Sequence, residues 1–371
     1  MQRSFAASRL SVPLFSALLL VMLFVSACSS GGTSTAAKTV TPSPTPFPTP
    51  TVSVAMQNQG QTQLQVFQQW IDLMKQYKGN AGTYQRQYTS DQQALKNATT
   101  TDTYNHALQT LNTHANAIQL PAVKQETQNL QQTLQQEAAA WGQQHQYHDD
   151  YNGKTYGLAY EYDNVNGIGG PLWLQGDLAA DKTVADYQQT IENLHMWLTD
   201  FQAMKTDSSD STPYSQPHQA DMTLLKHNGF MSGPVIVVSL NEQALRAYVN
   251  GKLVNSFQVT TGQPNLPTPP GTWWIEGKQH PTVFKSNAPK NSPEWYPPTP
   301  IAYAMQYHSN GYFFHTADWR TQFGPGTNFP HQDPDGDPFA GQGSHGCINM
   351  STANSQWLYG FVSVYTHVII Y

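Results

Sequence analysis

Cysteine is nearly absent: the chain has two, Cys28 and Cys347, among 371 residues. One disulfide at most could form, and Cys28 closes an apolar export-like segment where a different chemistry is expected, so each thiol needs its own explanation. Charge is scarce as well. Asp, Glu, Lys and Arg make up 11% of the chain, with a formal net charge of −6. The basic residues are scattered rather than gathered into a stripe, which removes the electrostatic footprint of a nucleic-acid binder. In place of charge stand Gln, Asn, Thr and Tyr, a balance suited to a secreted surface held in solution by neutral polar groups. The length allows two ordinary domains and an appendage.

Arg3 and Arg9 precede an apolar run over residues 12–25, interrupted only by Ser16, and small residues then lead to Cys28. This pattern reads as a signal peptide over residues 1–28. Val25-Ser26-Ala27-Cys28 resembles a bacterial lipobox, which implies that Cys28 is lipidated and becomes the new N-terminus, anchoring the protein to the membrane without a spanning helix. Residues 29–54 are rich in Ser, Thr, Gly and Pro and cannot bury a core. Their alternating prolines favour an extended spacer of about 3.1 Å per residue.

Residues 55–210 show helical periodicity. Phe67, Trp70, Ile71, Met74 and Tyr77 share one face, and Tyr104, Leu108, Leu111 and Ile118 another. Val123, Leu130, Leu134 and Trp141 follow Pro121, and Tyr187, Ile191, Leu194, Trp197 and Phe201 form the last stripe. A bundle of about four helices is expected, with residues 151–176 as an irregular insert and residues 211–233 as a linker. The aromatic stripes read as core rather than as a saccharide groove. His145 and His148, near Asp149 and Asp150, read as a solvated helix end rather than a metal site.

Residues 234–371 change to short β-rich runs. Val235–Leu240 reads as a strand, and two more flank Asn250-Gly251, a strong hairpin signal. Further strands are expected at 272–275, 312–314 and 362–370, with a helix at 353–359. The fold class is therefore multidomain, an N-terminal α-helical bundle followed by a mainly β, sandwich-like domain.

Chemistry concentrates at Ser344-His345-Gly346-Cys347-Ile348-Asn349. A thiol attacks as thiolate, so it needs a nearby imidazole or backbone dipoles. Gly343 and Gly346 let the backbone turn closely around the sulfur, where N–H groups can stabilise an oxyanion. Acyl transfer is the natural reaction class.

This run resembles the signature of the L,D-transpeptidase (YkuD-type) catalytic domain. Thr260-Thr261-Gly262, Thr268-Pro269-Pro270-Gly271-Thr272 and Gly311-Tyr312-Phe313-Phe314-His315 stand where the family has corresponding features. The resemblance implies a cysteine enzyme acting on peptidoglycan stem peptides, with a tetrapeptide donor, a diamino-acid acceptor and no cofactor. It implies Cys347 as nucleophile and His315 as base, with Ser344, His345, Gly346 and Asn349 shaping the oxyanion site and loop. Tyr312, Trp319 and Arg320 would border the substrate groove. The acceptor is left open: another stem gives a 3-3 cross-link, water gives an L,D-carboxypeptidase, and a protein amine gives wall attachment. A non-catalytic wall-binding lipoprotein is the reading of a different class.

One departure bears on the base. His315 lies 32 positions before Cys347 (347 minus 315), longer than in many members, whereas His331 lies 16 before it (347 minus 331). His315 is preferred because it ends the aromatic strand, while His331 sits among prolines and aspartates. The extra stretch carries Asp333-Pro334-Asp335-Gly336-Asp337, an alternation of the calcium-loop kind without the following bidentate Glu. It reads as a lid or rim rather than a metal site.

Overall fold

A computed structural model describes residues 51–162, 170–292 and 295–371, with the side chains of 170–172 left undescribed. The signal segment, Cys28 and nearly all of the proline-rich spacer lie outside the described residues.

Seven helices precede the β region among the described residues. They are α1 (Val54–Gln76), α2 (Gly82–Asn97), α3 (Thr101–Ala117), α4 (Gln119–Gln144), α5 (Gly170–Ala180), α6 (Val184–Asp207) and α7 (Gln219–His227). A hairpin of β1 (Gln146–His148) and β2 (Thr155–Gly157) follows α4. Side chains at the N-termini fix several starts: Ser53 caps α1, and Thr100 with Thr103 and Thr183 with Asp186 form capping boxes on α3 and α6. Each satisfies amides that a helix end leaves without partners. The expected stripes are buried in α3, α4 and α6, and in α1 apart from Trp70, which like Tyr77 just past the helix is half-buried against the core. α2 escapes the periodicity because its buried residues are Asp91 and Leu95, and Asp91 faces His114 Nδ1 of α3 at 2.8 Å. The segment 211–233, expected as a linker, contains α7, which buries Leu224 and Leu225.

The β region holds β3 (Pro234–Ser239), β4 (Ala244–Val249), β5 (Lys252–Gln258), β6 (Gly271–Trp274), β7 (Gly277–Gln279), β8 (Thr282–Phe284), β9 (Thr299–Ile301), β10 (Ala304–His308), β11 (Tyr312–Thr316), β12 (Ile348–Met350) and β13 (His367–Ile370). One sheet has the order β5-β4-β3-β13-β6 and a second β12-β11-β10-β7, while β8 pairs with β9. Asn250 and Gly251 join β4 to β5 with φ of 52° and 71°, the left-handed pair that a two-residue hairpin turn requires. Helix α8 (Thr352–Phe361) is longer than expected, and β13 is shorter because Val362 ends α8.

The central strand β3 is apolar from Val235 to Val238 because both of its faces are covered there. Ile236 and Val238 join the core between the sheets with Phe257, Phe314, Ile348 and Ile370. Val235 and Val237 join Trp197, Phe201, Leu224 and Leu225 of the helices. A second helical core gathers Phe67, Leu111 and Ile118 from α1, α3 and their junction with α4.

Buried ions reinforce the helix-to-sheet seam. Arg246 on β4 donates to Asp221 of α7 through Nε at 2.5 Å and Nη2 at 3.1 Å. The hydroxyls of Tyr248 and Tyr371 each donate to the same carboxylate at 2.6 Å. Glu242 and the Tyr371 hydroxyl, which accepts from Nη2 at 2.9 Å, complete the guanidinium's partners. Near it, His218 Nδ1 lies 2.7 Å from Asp207 Oδ1, and Ser239 Oγ donates to Asp207 Oδ2 at 2.6 Å.

Candidate active site

The Ser344–Cys347 turn is held from two sides. Thr260 and Asn349 exchange backbone hydrogen bonds at 3.0 and 2.8 Å, and Ser344 N donates to Thr261 O at 2.9 Å while Gln263 N donates to Ser344 O at 3.0 Å. Thr268 Oγ1 accepts from Gly262 N at 2.8 Å and donates to Gly346 O at 2.9 Å. Ser344 Oγ accepts from Gly346 N at 3.0 Å and donates to Cys347 O at 2.5 Å. The Gly346 amide is thus spent inside the turn. Gly346 has φ 101°, and a Cβ there would stand 2.5 Å from the Tyr312 ring, so both torsion and space call for glycine.

β11 and β12 run parallel, with Phe314 opposite Ile348 and His315 opposite Asn349. Cys347 stands just before β12, half-buried, its Sγ 3.8 Å from Gly311 O. Burial pushes the thiol up to about 11, against a lowering hydrogen bond from the Phe313 amide. His315 is buried, with Nδ1 2.9 Å from Thr316 O. A carbonyl only accepts, so Nδ1 carries the proton and Nε2 is the acceptor, facing Asn349 Nδ2 at 3.0 Å. Burial pushes this imidazole down to about 4, the Thr316 bond opposing and the Arg320 charge assisting. Thiol and imidazole are both neutral near pH 7, and no hydrogen bond joins them to each other.

Both line one cavity of about 510 Å³. Tyr312, Trp319, Arg320, Ser344, His345 and Asn349 line it too, whereas His331 does not. His331 Nδ1 instead lies 2.8 Å from Phe329 O, and its amide donates to Gly341 O at 3.0 Å. Arg320 is buried and donates to Ala340 O at 3.4 Å and Gln342 O at 2.9 Å, tying the cavity to the extra stretch.

Residues 233–370 match the model of the YkuD family, described as the L,D-transpeptidase catalytic domain. The C-terminal region is a YkuD-type domain. L,D-transpeptidase 2 of Mycobacterium tuberculosis is 30% identical over 125 residues, covering 33% of this chain and 27% of the relative. L,D-transpeptidase 1 of the same species is 28% identical over 141 residues, 37% of this chain and 50% of the relative. The chain therefore spans half or less of the length of these relatives. A crystal structure of Enterococcus faecium L,D-transpeptidase is 26% identical, with a TM-score of 0.31 over 38% of this chain and 50% of that one.

Several cavity residues of the YkuD-type domain escape sequence reasoning. Phe284, Tyr296 and Pro297 come from β8 and the segment before β9, and Phe339 from the extra stretch. β7, β8 and β9 have three residues each and are partly exposed, so their alternation is too brief to register. Thr268 gives a signal only as part of the Thr268–Thr272 run.

The Asp333 carboxylate accepts from Thr321 N at 2.7 Å, Gln322 N at 3.1 Å and Thr321 Oγ1, which folds the extra stretch. Asp337 Oδ1 accepts from Phe339 N at 2.8 Å. The His145 ring stacks on Trp141 at 4.1 Å, and His148 and Asp150 lie 3.8 Å apart on the surface. Among the described residues, Asp207, His218 and Glu242 alone bring three metal-type ligands together, and hydrogen bonds to Ser239, Arg246 and one another already occupy them.

Proposed function

We propose that the chain is a peptidoglycan L,D-transpeptidase that forms 3-3 cross-links through a thioester on Cys347. The observation that carries this reading is the placement of Cys347, on a glycine-shaped turn, in the same cavity as His315 of the neighbouring strand. The sulfur attacks the carbonyl of the diamino acid at stem position three, and its proton passes to His315 Nε2. That nitrogen accepts from Asn349 at rest. Rotation of the Asn349 amide presents Oδ1 to the newly protonated ring and supports the imidazolium. The proton then moves to the departing D-Ala amine as the C–N bond breaks and the thioester remains. An amine of a second stem attacks that carbonyl, forms the cross-link and restores the thiol. Tyr312, Trp319 and Arg320 border the groove that receives the stem, and lipidation at Cys28 places the domain outside the membrane, facing the wall.

Incubation with tetrapeptide muropeptides is expected to give an acyl adduct on Cys347 with release of D-Ala, read by mass spectrometry. Turnover that persists in Cys347→Ala would sink the mechanism. Dimers formed on addition of a second stem separate transfer to an amine from simple hydrolysis.

A further inference from the structure

The extra stretch between His315 and Cys347 does not stand alone. Phe329, fully buried within it, is enclosed by three tyrosines of the helical region. Tyr147 stacks on it at 4.4 Å, Tyr156 lies at 5.1 Å and Tyr160 meets it edge-on at 5.8 Å. Gly326 packs under Tyr147, where a Cβ would come 3.1 Å from the phenol oxygen. The hairpin β1–β2 and the turn after it therefore grip the stretch that lengthens the interval before the nucleophile.

Tyr160 does more than pack. It is buried, donates to Gly262 O at 2.6 Å, and accepts from Asn328 Nδ2 at 2.8 Å. Both partners abut the reactive turn. Gly262 N donates to Thr268 Oγ1, which in turn donates to Gly346 O, the residue before the nucleophile. The Asn328 carbonyl crowds Gly343, where a Cβ would stand 2.7 Å from it. The two shoulders of the turn, one from residues 260–268 and one from the extra stretch, meet directly where the Thr260 and Thr327 hydroxyls lie 2.7 Å apart, and the Tyr160 hydroxyl of the helical region bridges them a second time.

We infer that Tyr160 is a positioning residue of the acyl-transfer site and that segment 145–162 is a clamp on the reactive turn. The physical ground is that a buried hydroxyl with two partners fixes the spacing of both, and its removal leaves a buried carbonyl and amide unpaired. A displacement of about 1 Å at a reacting centre costs up to about 10²-fold in rate. The part played in catalysis rests on the transpeptidase reading, whereas the effect on the thiol does not.

The test uses the full chain with Tyr160→Phe and, separately, Asn328→Ala, each checked for a cooperative thermal transition. In the stem-peptide reaction, kcat is expected to fall about tenfold or more while KM changes little. Alkylation of Cys347 by iodoacetamide is expected to rise, because a loosened turn exposes the thiol. Folded variants with wild-type kcat and wild-type alkylation rates would overturn the inference. If one variant does not fold, the other decides. If wild type itself forms no acyl adduct, the transpeptidase reading fails and the alkylation arm alone decides the clamp.

Discussion

At Cys347 and His315 burial acts on opposite charges and leads to one result. The thiol is pushed up to about 11 and the imidazole down to about 4, so a standing thiolate–imidazolium pair is disfavoured from both sides. In the proposed mechanism the proton therefore moves during attack, with His315 accepting it as the carbon–sulfur bond forms. Acylation rates are expected to hold level through neutral pH and to fall only as pH drops through about 4. His315→Ala should lower acylation by about 10²- to 10⁴-fold, while His331→Ala should stay near wild type. A result in which His331→Ala alone abolishes the adduct would reassign the base. The same residue affects stability. Its folded value lies below the ordinary 6.5, so the unfolded chain binds more protons between about 4 and 6.5. This contribution is complete above 6.5 and lost as pH falls towards 4. Urea unfolding across that range should show a shallower pH slope in His315→Asn than in wild type.

The reactive turn is the decisive element. Gly346 combines a left-handed φ with a Cβ direction blocked by Tyr312. Gly346→Ala is therefore expected to cost about 1–3 kcal/mol in denaturant unfolding and to suppress acylation together with it. An alanine variant with undiminished acylation would show that the turn tolerates another geometry. The Asn250-Gly251 turn shows the contrast: it too has left-handed torsions, but it sets the register of β4 and β5 and ties to Gly233 ahead of β3 through Asn250. The turn at 250–251 was legible from two residues. The Ser344–Asn349 run was legible as chemistry, but its supports at Thr260, Gln263 and Thr268 belong to segments about eighty positions away, as hydrogen-bonded loop contacts commonly do.

For the molecule as a whole, the helical region and the YkuD-type domain share one apolar core and one buried ionic seam. Asp221 accepts from Arg246, Tyr248 and Tyr371, all buried. Asp221→Ala should cost about 3–5 kcal/mol, because it takes from the buried Arg246 guanidinium the carboxylate that it shares with Tyr248 and Tyr371, leaving it Glu242 and the Tyr371 hydroxyl. Chemical denaturation followed by tryptophan fluorescence and by far-UV circular dichroism measures this. Coincident transitions are expected, since Val235 and Val237 of the central strand cannot stay covered once α6 and α7 leave.

The sequence by itself determined the order of a helical region followed by a mainly β region, the apolar stripes of four helices, the Asn250-Gly251 hairpin, and the compact Ser344–Asn349 motif that holds Cys347. These rest on local periodicity, turn chemistry and one compact motif, which neighbouring residues encode. Only the tertiary structure decided that His315 and not His331 shares the cavity with Cys347, because strand pairing brings residues 32 positions apart together (347 minus 315) across an inserted stretch. It also decided what grips that stretch. By sequence Tyr160 falls in an irregular insert, and its two hydrogen bonds to Gly262 and Asn328 exist only once the helical region folds back onto the sheet.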